Sequence, residues 1–148
     1  MIIFGSPSRY VQGAGVLSGI GAEIGRVGTT AVLVLDPLIQ DKYGELIAAS
    51  CRVAGIAATQ LRFSGECTPQ EIDRLAAAAP RSPIVAAAGG GKCIDAGKAL
   101  ANRTDALMAT VPTIASTDAT TSHNYVMYDE NHRMLRVEKM RRNPALVL

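Results

Sequence analysis

The first dense apolar run, Ala31 to Leu35 (AVLVL), puts five apolar residues in succession between Gly28 and Asp36-Pro37. A short, β-branched run without alternation is the pattern of a parallel strand buried on both faces. Residues 38 to 54 carry Leu38, Ile39, Leu46, Ile47 and Val53 at roughly helical spacing, and Gly55 stops the pattern. Ile56 to Phe63 reads as a second strand. Thr68-Pro69-Gln70-Glu71 is a helix start, with Thr68 as N-cap, Pro69 at the first helical position and Glu71 three residues after the cap. Ile72, Leu75 and Ala76 form that helix's inner face, and Pro80 follows its end. Pro83 to Ala88 is a third strand that runs into three glycines, Ile94 to Ala101 a helix, and Ala106 to Val111 a fourth strand. Tyr125 to Tyr128 and Met134 to Val137 pair as a hairpin around Asp129-Glu130-Asn131-His132, and the chain ends in an apolar run, Ala145 to Leu148.

This alternation predicts an α/β fold: a Rossmann-like, open, mostly parallel sheet with helices on both faces, plus a C-terminal β-hairpin. Right-handed crossovers bring the loops at the strands' C-terminal ends to one edge, where ligands bind in such sheets. Three loops meet that condition: Asp36-Pro37, Gly89 to Lys92, and Pro112 to Ser122. No internal repeat or low-complexity linker divides the chain, so residues 1–148 are expected to form one domain.

Composition narrows the function classes. At 148 residues with 48% hydrophobic positions, mostly aliphatic and with no tryptophan, the chain suits closely packed α/β layers. A formal net charge of +2 gives no basis for nucleic acid as a partner. Residues 132 to 142 (HRMLRVEKMRR) are locally basic but lack interleaved aromatics, so they read as a solvated hairpin strand or a surface covered by another domain. Cys51, Cys67 and Cys93 are odd in number and have no C-x-x-C spacing, which predicts free thiols in a reducing compartment. There is no basic n-region followed by an apolar h-region at the start, and no run of about 18 apolar residues for a bilayer, so a cytoplasmic location is expected and no membrane partner.

The candidate chemistry centres on residues 87 to 100, AAGGGKCIDAGKAL. Backbone N–H groups at a glycine-rich strand-to-helix turn point outward, and the helix dipole favours an anion there. The Walker pattern fails at Ala86 and Cys93, and the dinucleotide fingerprint fails at Ile94, where a third glycine is required. What remains is Gly90, Gly91 and Lys92 at the head of a helix, either a phosphate seat or a tight βα loop. Asp95 follows as a charge in the first turn that complements the helix dipole. Asp36, at the end of the first strand, either accepts hydrogen bonds from an adenosine ribose, favouring NAD over NADP, or is a turn and helix cap.

Four segments in order, SPSRYVQGAGVL near the N-terminus, FSGECTPQEIDRL (63 to 75), GGGKCIDAGKALA (89 to 101) and VPTIASTDATTS (111 to 122), resemble the glycerol dehydrogenases of the iron-containing, or group III, alcohol dehydrogenase family. That family is similar in fold to dehydroquinate synthase. The resemblance runs from residue 2 to residue 148 and implies that the chain is an N-terminal NAD-binding domain. It implies NAD with its pyrophosphate on Gly90, Gly91 and Lys92, its ribose near Asp36, and Thr113 and Ser116 lining the adenine and phosphate region. Asp95 is included in the coenzyme set. Ser122, Asn124 and Tyr128 match positions near the ribose and nicotinamide, and Asp118 matches the aspartate that contacts a polyol substrate. From the residues alone, Asp118 reads first as an Asx-turn residue of a Ser/Thr-rich loop.

Two departures accompany the match. His123-Asn124 stand where the family has small and aliphatic residues. The family's zinc or iron ligands, one aspartate and two histidines, belong to a helical C-terminal domain absent from this chain. His123, His132, Asp118 and Asp129 have no metal-ligand spacing that would replace them. The resulting expectation is the coenzyme part of a metal-assisted polyol dehydrogenase, incomplete for catalysis, with an exposed apolar interdomain face that favours homo-oligomers or other association. The alternatives are an inactive nucleotide-binding module and a dehydroquinate-synthase-like lyase, the latter disfavoured by the AST-D loop.

Overall fold

In the computed structural model, which describes Met1 and residues 5–148, the chain follows the expected alternation. Residues 2–4, where the family resemblance begins, lie outside the described residues. The strands are β1 (Arg9–Tyr10), β2 (Thr30–Leu35), β3 (Ala57–Arg62), β4 (Ile84–Gly89), β5 (Leu107–Pro112), β6 (Asn124–Tyr128), β7 (Met134–Lys139) and β8 (Leu146–Val147). The α-helices are α1 (Ile20–Ile24), α2 (Pro37–Val53), α3 (Pro69–Ala78) and α4 (Gly91–Thr104), with a 3₁₀ turn at Val16–Gly19 before α1.

Among the described residues, six strands form one parallel sheet in the order β1-β8-β5-β4-β2-β3, and β6 and β7 form a separate antiparallel pair. From β2 the chain crosses outward to β3. It then returns past β2 to β4 and continues the other way to β5. The direction of winding therefore reverses between β2 and β4, and open α/β sheets bind ligands at such a switch point.

The uninterrupted apolar strands divide their side chains between two cores. Val32, Val34, Val85 and Ala87 face α3, α4 and the hairpin, while Ala31, Leu33, Leu35, Ala86 and Ala88 face α1 and α2. Both sets are almost solvent-free. Gly97 brings α4 down onto β4, since a Cβ there would lie 2.4 Å from the Ala87 Cβ. This is the helix-packing role of the third glycine in the dinucleotide fingerprint, displaced three residues from Ile94, which holds the fingerprint's position.

Thr68 caps α3 by accepting from the Glu71 N–H at 3.1 Å, but the reciprocal half of the capping box is absent. Glu71 instead accepts from the Ser64 N–H at 2.9 Å and pairs with Arg74. The segment before β2 had no strong periodicity. Its β1 is only two residues long and exists by pairing with β8, from the apolar run at 145–148. Helix α4 begins at Gly91, three residues earlier than its apolar pattern does, because its first turn is the glycine turn itself. The three cysteines are free and buried, and Cys67 is pushed up to about 12 first by burial and then by nearby carboxylates. Among the described residues, no helix is long and apolar enough to cross a membrane.

Candidate functional site

Strand pairing alone brings the sheet-edge loops together. Leu35 is in register with Ala88, and Gly89 with Pro112. The Asp36 N–H donates to the Ala88 carbonyl at 2.9 Å, and the Thr113 N–H donates to the Gly89 carbonyl at 3.1 Å. Asp36, the glycine turn and the 112–122 loop therefore occupy successive positions along one edge.

Gly90 has an ordinary extended backbone (φ −78°, ψ −178°), so its lack of a side chain reflects space rather than backbone strain. A Cβ on Gly90 would lie 2.9 Å from Ile114 Cδ1, and one on Gly91 would lie 3.0 Å from Thr117 Oγ1. A Cβ on Gly89 would lie 2.9 Å from the Asp36 Cβ. The N-terminus of α4 has no side-chain cap, which leaves its first N–H groups facing the space between the loops.

Two clefts adjoin this turn. One, of about 710 Å³, is lined by Leu17, Asp36, Ile39, Tyr43, Gly90, Thr113 and Ile114 among others and is mainly apolar. The second, of about 450 Å³, is lined by Gly91, Lys92, Asp95, Asp118, Ser122, Asn124 and Tyr128 with four other residues and is mainly polar. Ser116 lies exposed in the loop and lines neither cleft.

Asp36 is half-buried and caps α2, with Oδ1 accepting from the Leu38 N–H at 3.0 Å. Capping uses one carboxylate oxygen and leaves the other available to a ligand in the first cleft. Asp118 is exposed, and the local turn's side-chain bond comes from its neighbour, as Thr117 Oγ1 accepts from the Ala119 N–H at 3.2 Å. The Asp118 carboxylate is thereby left to the second cleft.

Asp95 acts at some distance from the helix end. Its Oδ2 accepts from the Val126 N–H at 3.1 Å, which pins the hairpin to α4. Its Oδ1 is buried, 3.8 Å from Lys98 Nζ, with no hydrogen-bond partner among the described residues. Burial pushes the Asp95 carboxyl up to about 6, against the Val126 N–H and the Lys98 ammonium, and Asp118 adds to the rise. Lys98 is fully buried and donates to the Asn124 carbonyl at 2.7 Å and to Ser122 Oγ at 3.3 Å. Burial drives its pKa down while Asp95 and then Asp118 oppose the fall. Three residues beyond Asp95, Lys98 lies one turn along the same helix face, and that spacing was the available clue to its role.

Lys92 makes a contact that no motif pointed to. Its Nζ donates to Glu66 Oε2 at 2.5 Å and lies 5.1 Å from the centre of the Tyr128 ring. Glu66 lies in the β3–α3 loop, 26 residues away in sequence. Among the described residues, no three His, Cys, Asp or Glu side chains are grouped to hold a metal ion.

A family model for iron-containing alcohol dehydrogenases matches residues 7–148. The chain belongs to that family. It is 37% identical to a glycolaldehyde reductase of Halobacterium salinarum over 148 residues, which is 99% of this chain and 40% of that protein. It is also 37% identical to a glycerol dehydrogenase of Thermotoga maritima over 144 residues, 96% of this chain and 39% of the relative. Among solved structures, a probable glycerol dehydrogenase from Sinorhizobium meliloti matches with a TM-score of 0.89 at 34% identity, over 98% of this chain and 39% of the other. The chain thus spans about two fifths of the length of these members of the family.

Proposed function

We propose that this chain is the coenzyme-binding part of an NAD-dependent polyol dehydrogenase, which converts a secondary carbinol of glycerol or a related polyol to a ketone with formation of NADH. The observation that carries this reading is the meeting of an apolar and a polar cleft at Gly90 and Gly91, on the sheet's switch point. A dinucleotide has a matching sequence of parts: an apolar base with its ribose, a diphosphate, then a ring beside the reacting substrate.

The residues present fit NAD. The two glycines let Ile114 and Thr117 approach the turn closely, next to uncapped helix N–H groups suited to the diphosphate. The second oxygen of Asp36 accepts from ribose hydroxyls and repels a 2′-phosphate. Bound NAD supplies the nicotinamide carbon that accepts the hydride. Asp118 holds a substrate hydroxyl beside that ring and so orients the carbon that gives up hydride. Ser122, Asn124 and Tyr128 line the same cleft and bound the ring's position.

A metal does not fit these residues, since no ligand group is assembled among those described. In this reading its ligands lie outside the 148 residues. What supports an interdomain or subunit face is the exposure of Met134, Leu135 and Val137 on β7.

Calorimetric titration with NAD and NADP tests the reading. NAD is expected to bind at least about tenfold more tightly than NADP, as expected for a ribose-binding carboxylate. A folded chain that binds no NAD overturns the proposal. Glycerol oxidation by this chain with added zinc is expected to be absent, and measurable turnover would show that the metal ligands do not lie elsewhere.

A further inference from the structure

Glu66 Oε2 has two nitrogen partners, Lys92 Nζ at 2.5 Å and His132 Nδ1 at 2.6 Å. Its other oxygen, Oε1, accepts from the Cys67 N–H at 3.1 Å. Glu66 itself is 9% exposed, so the carboxylate is fixed, whereas the Lys92 and His132 side chains retain 47% and 71% exposure. The arrangement is therefore an immobile acceptor between two cationic or proton-donating groups that can move. Burial raises the Glu66 carboxyl, but the bonds from His132, Lys92 and Cys67 outweigh it and hold the group below the usual carboxylate range.

The three groups come from three elements. Glu66 is in the β3–α3 loop, Lys92 in the first turn of α4, and His132 at the hairpin tip. His132 has a positive φ of 61°, which its turn over-determines: its N–H donates to the Asp129 carbonyl, and Asp129 Oδ1 accepts from the N–H groups of Asn131 and Arg133. The hairpin is also tied to the β3–α3 loop, because the Tyr128 N–H donates to the Cys67 carbonyl at 2.9 Å.

Lys92 lines the polar cleft, while Glu66 does not. An anion arriving at the Gly90–Gly91 turn consequently meets a lysine whose charge is already balanced from behind. We propose that Glu66 is a positioning residue that holds Lys92 back from the anion seat, and that His132, already bonded to Glu66 Oε2, becomes its one remaining side-chain partner when a phosphate-bearing ligand draws Lys92 forward. The hairpin tip thereby registers occupancy of the seat. This assignment rests on the phosphate seat of the preceding reading, and the diphosphate group is the chemistry it recognises.

The test uses inorganic pyrophosphate alone, then NAD, on the intact chain, with circular dichroism as the check of folding. Glu66→Gln keeps an acceptor but removes the opposing charge, so pyrophosphate is expected to bind roughly three- to tenfold more tightly, the range for a part-buried charge pair. Lys92→Met weakens binding. In the Lys92→Met background, Glu66→Gln has a clearly smaller effect, because the released charge is gone. His132→Ala weakens binding in wild type and has no effect in Glu66→Gln. In NMR spectra of the wild type, pyrophosphate shifts the ring resonances of His132, with His123 as the internal reference. Equal pyrophosphate affinity in wild type and Glu66→Gln, or no binding by either, overturns the proposal. So does an unmoved His132 ring. Pyrophosphate binding that follows the predicted pattern without any binding of NAD would instead sink the coenzyme reading and leave the role of Glu66 standing.

Discussion

Lys98 Nζ donates to the backbone carbonyl of Asn124 at 2.7 Å, so a fully buried ammonium fastens helix α4 to the first residue of the hairpin. The same lysine donates to Ser122 and faces Asp95, whose other oxygen holds the Val126 N–H. One turn of α4 thereby sets the position of the chain from 122 to 126, which forms a wall of the polar cleft.

Lys98→Met is expected to lower stability by about 3 kcal/mol near neutral pH, because the buried Asp95 loses its partner and must stay charged or take up a proton, and Ser122 and the Asn124 carbonyl lose their donor. Urea unfolding measures this. Adding Asp95→Asn should restore part of the loss, and strict additivity of the two changes would contradict the pairing.

Asp95 also predicts a pH dependence. Its folded-state pKa, at about 6, lies above that of an unfolded aspartate, so the native state binds this proton more tightly. The contribution to stability is fully present below about pH 4 and is lost as pH rises through about 6. The loss is at most about 3 kcal/mol for a rise of that size. Asp95→Asn should flatten this part of the stability–pH curve, and an unchanged slope would refute the assignment.

Gly90→Ala and Gly97→Ala separate ligand space from packing space. At Gly90 the backbone tolerates alanine and the near atom is the flexible tip of Ile114, so stability should change by less than about 1 kcal/mol. NAD affinity should fall at least about tenfold, since the methyl group pushes Ile114 into the first cleft and crowds the head of α4. At Gly97 the added methyl meets the Ala87 Cβ, so stability should fall by about 1–3 kcal/mol. Thermal melts together with NAD titration distinguish the two.

Asp36→Ala and Asp36→Ser divide the two roles of that carboxylate. Alanine removes the cap on Leu38 N–H and should destabilise by about 1 kcal/mol. Serine keeps a capping oxygen and most of the stability. Both should bring NAD and NADP affinities closer together, as measured by parallel titrations.

Asp118→Ala should leave stability within about 0.5 kcal/mol, because the residue is exposed and Thr117 supplies the turn's side-chain bond. NAD affinity should change by less than about threefold, the equivalent of that same range. Polyol binding to the NAD complex should fall. A large loss of stability would place Asp118 in the turn rather than in the cleft.

The strands and most helices were legible because buried parallel strands need uninterrupted apolar runs, and Ala31–Leu35 and Pro83–Ala88 have them. Thr68 and Pro69 marked a helix start by local chemistry alone. The 9–24 segment was not legible, because β1 has no pattern of its own and forms only where β8 supplies its partner. The glycine turn and Asp36 could be located in sequence, but their adjacency follows from β2 and β4 lying side by side with β3 outside them.

The sequence by itself determined the layers, the edge that carries the loops, and the residue types offered there, since hydrophobic period and glycine chemistry are local properties. Tertiary structure alone decided that Lys92 meets Glu66 and His132, that Lys98 braces the 122–126 segment, and that Gly97 seats α4 on β4. The first two contacts join elements widely separated along the chain, and the third sets how closely the consecutive elements β4 and α4 pack. Their energies depend on which groups share the same water-free space, and no local pattern of residues specifies that.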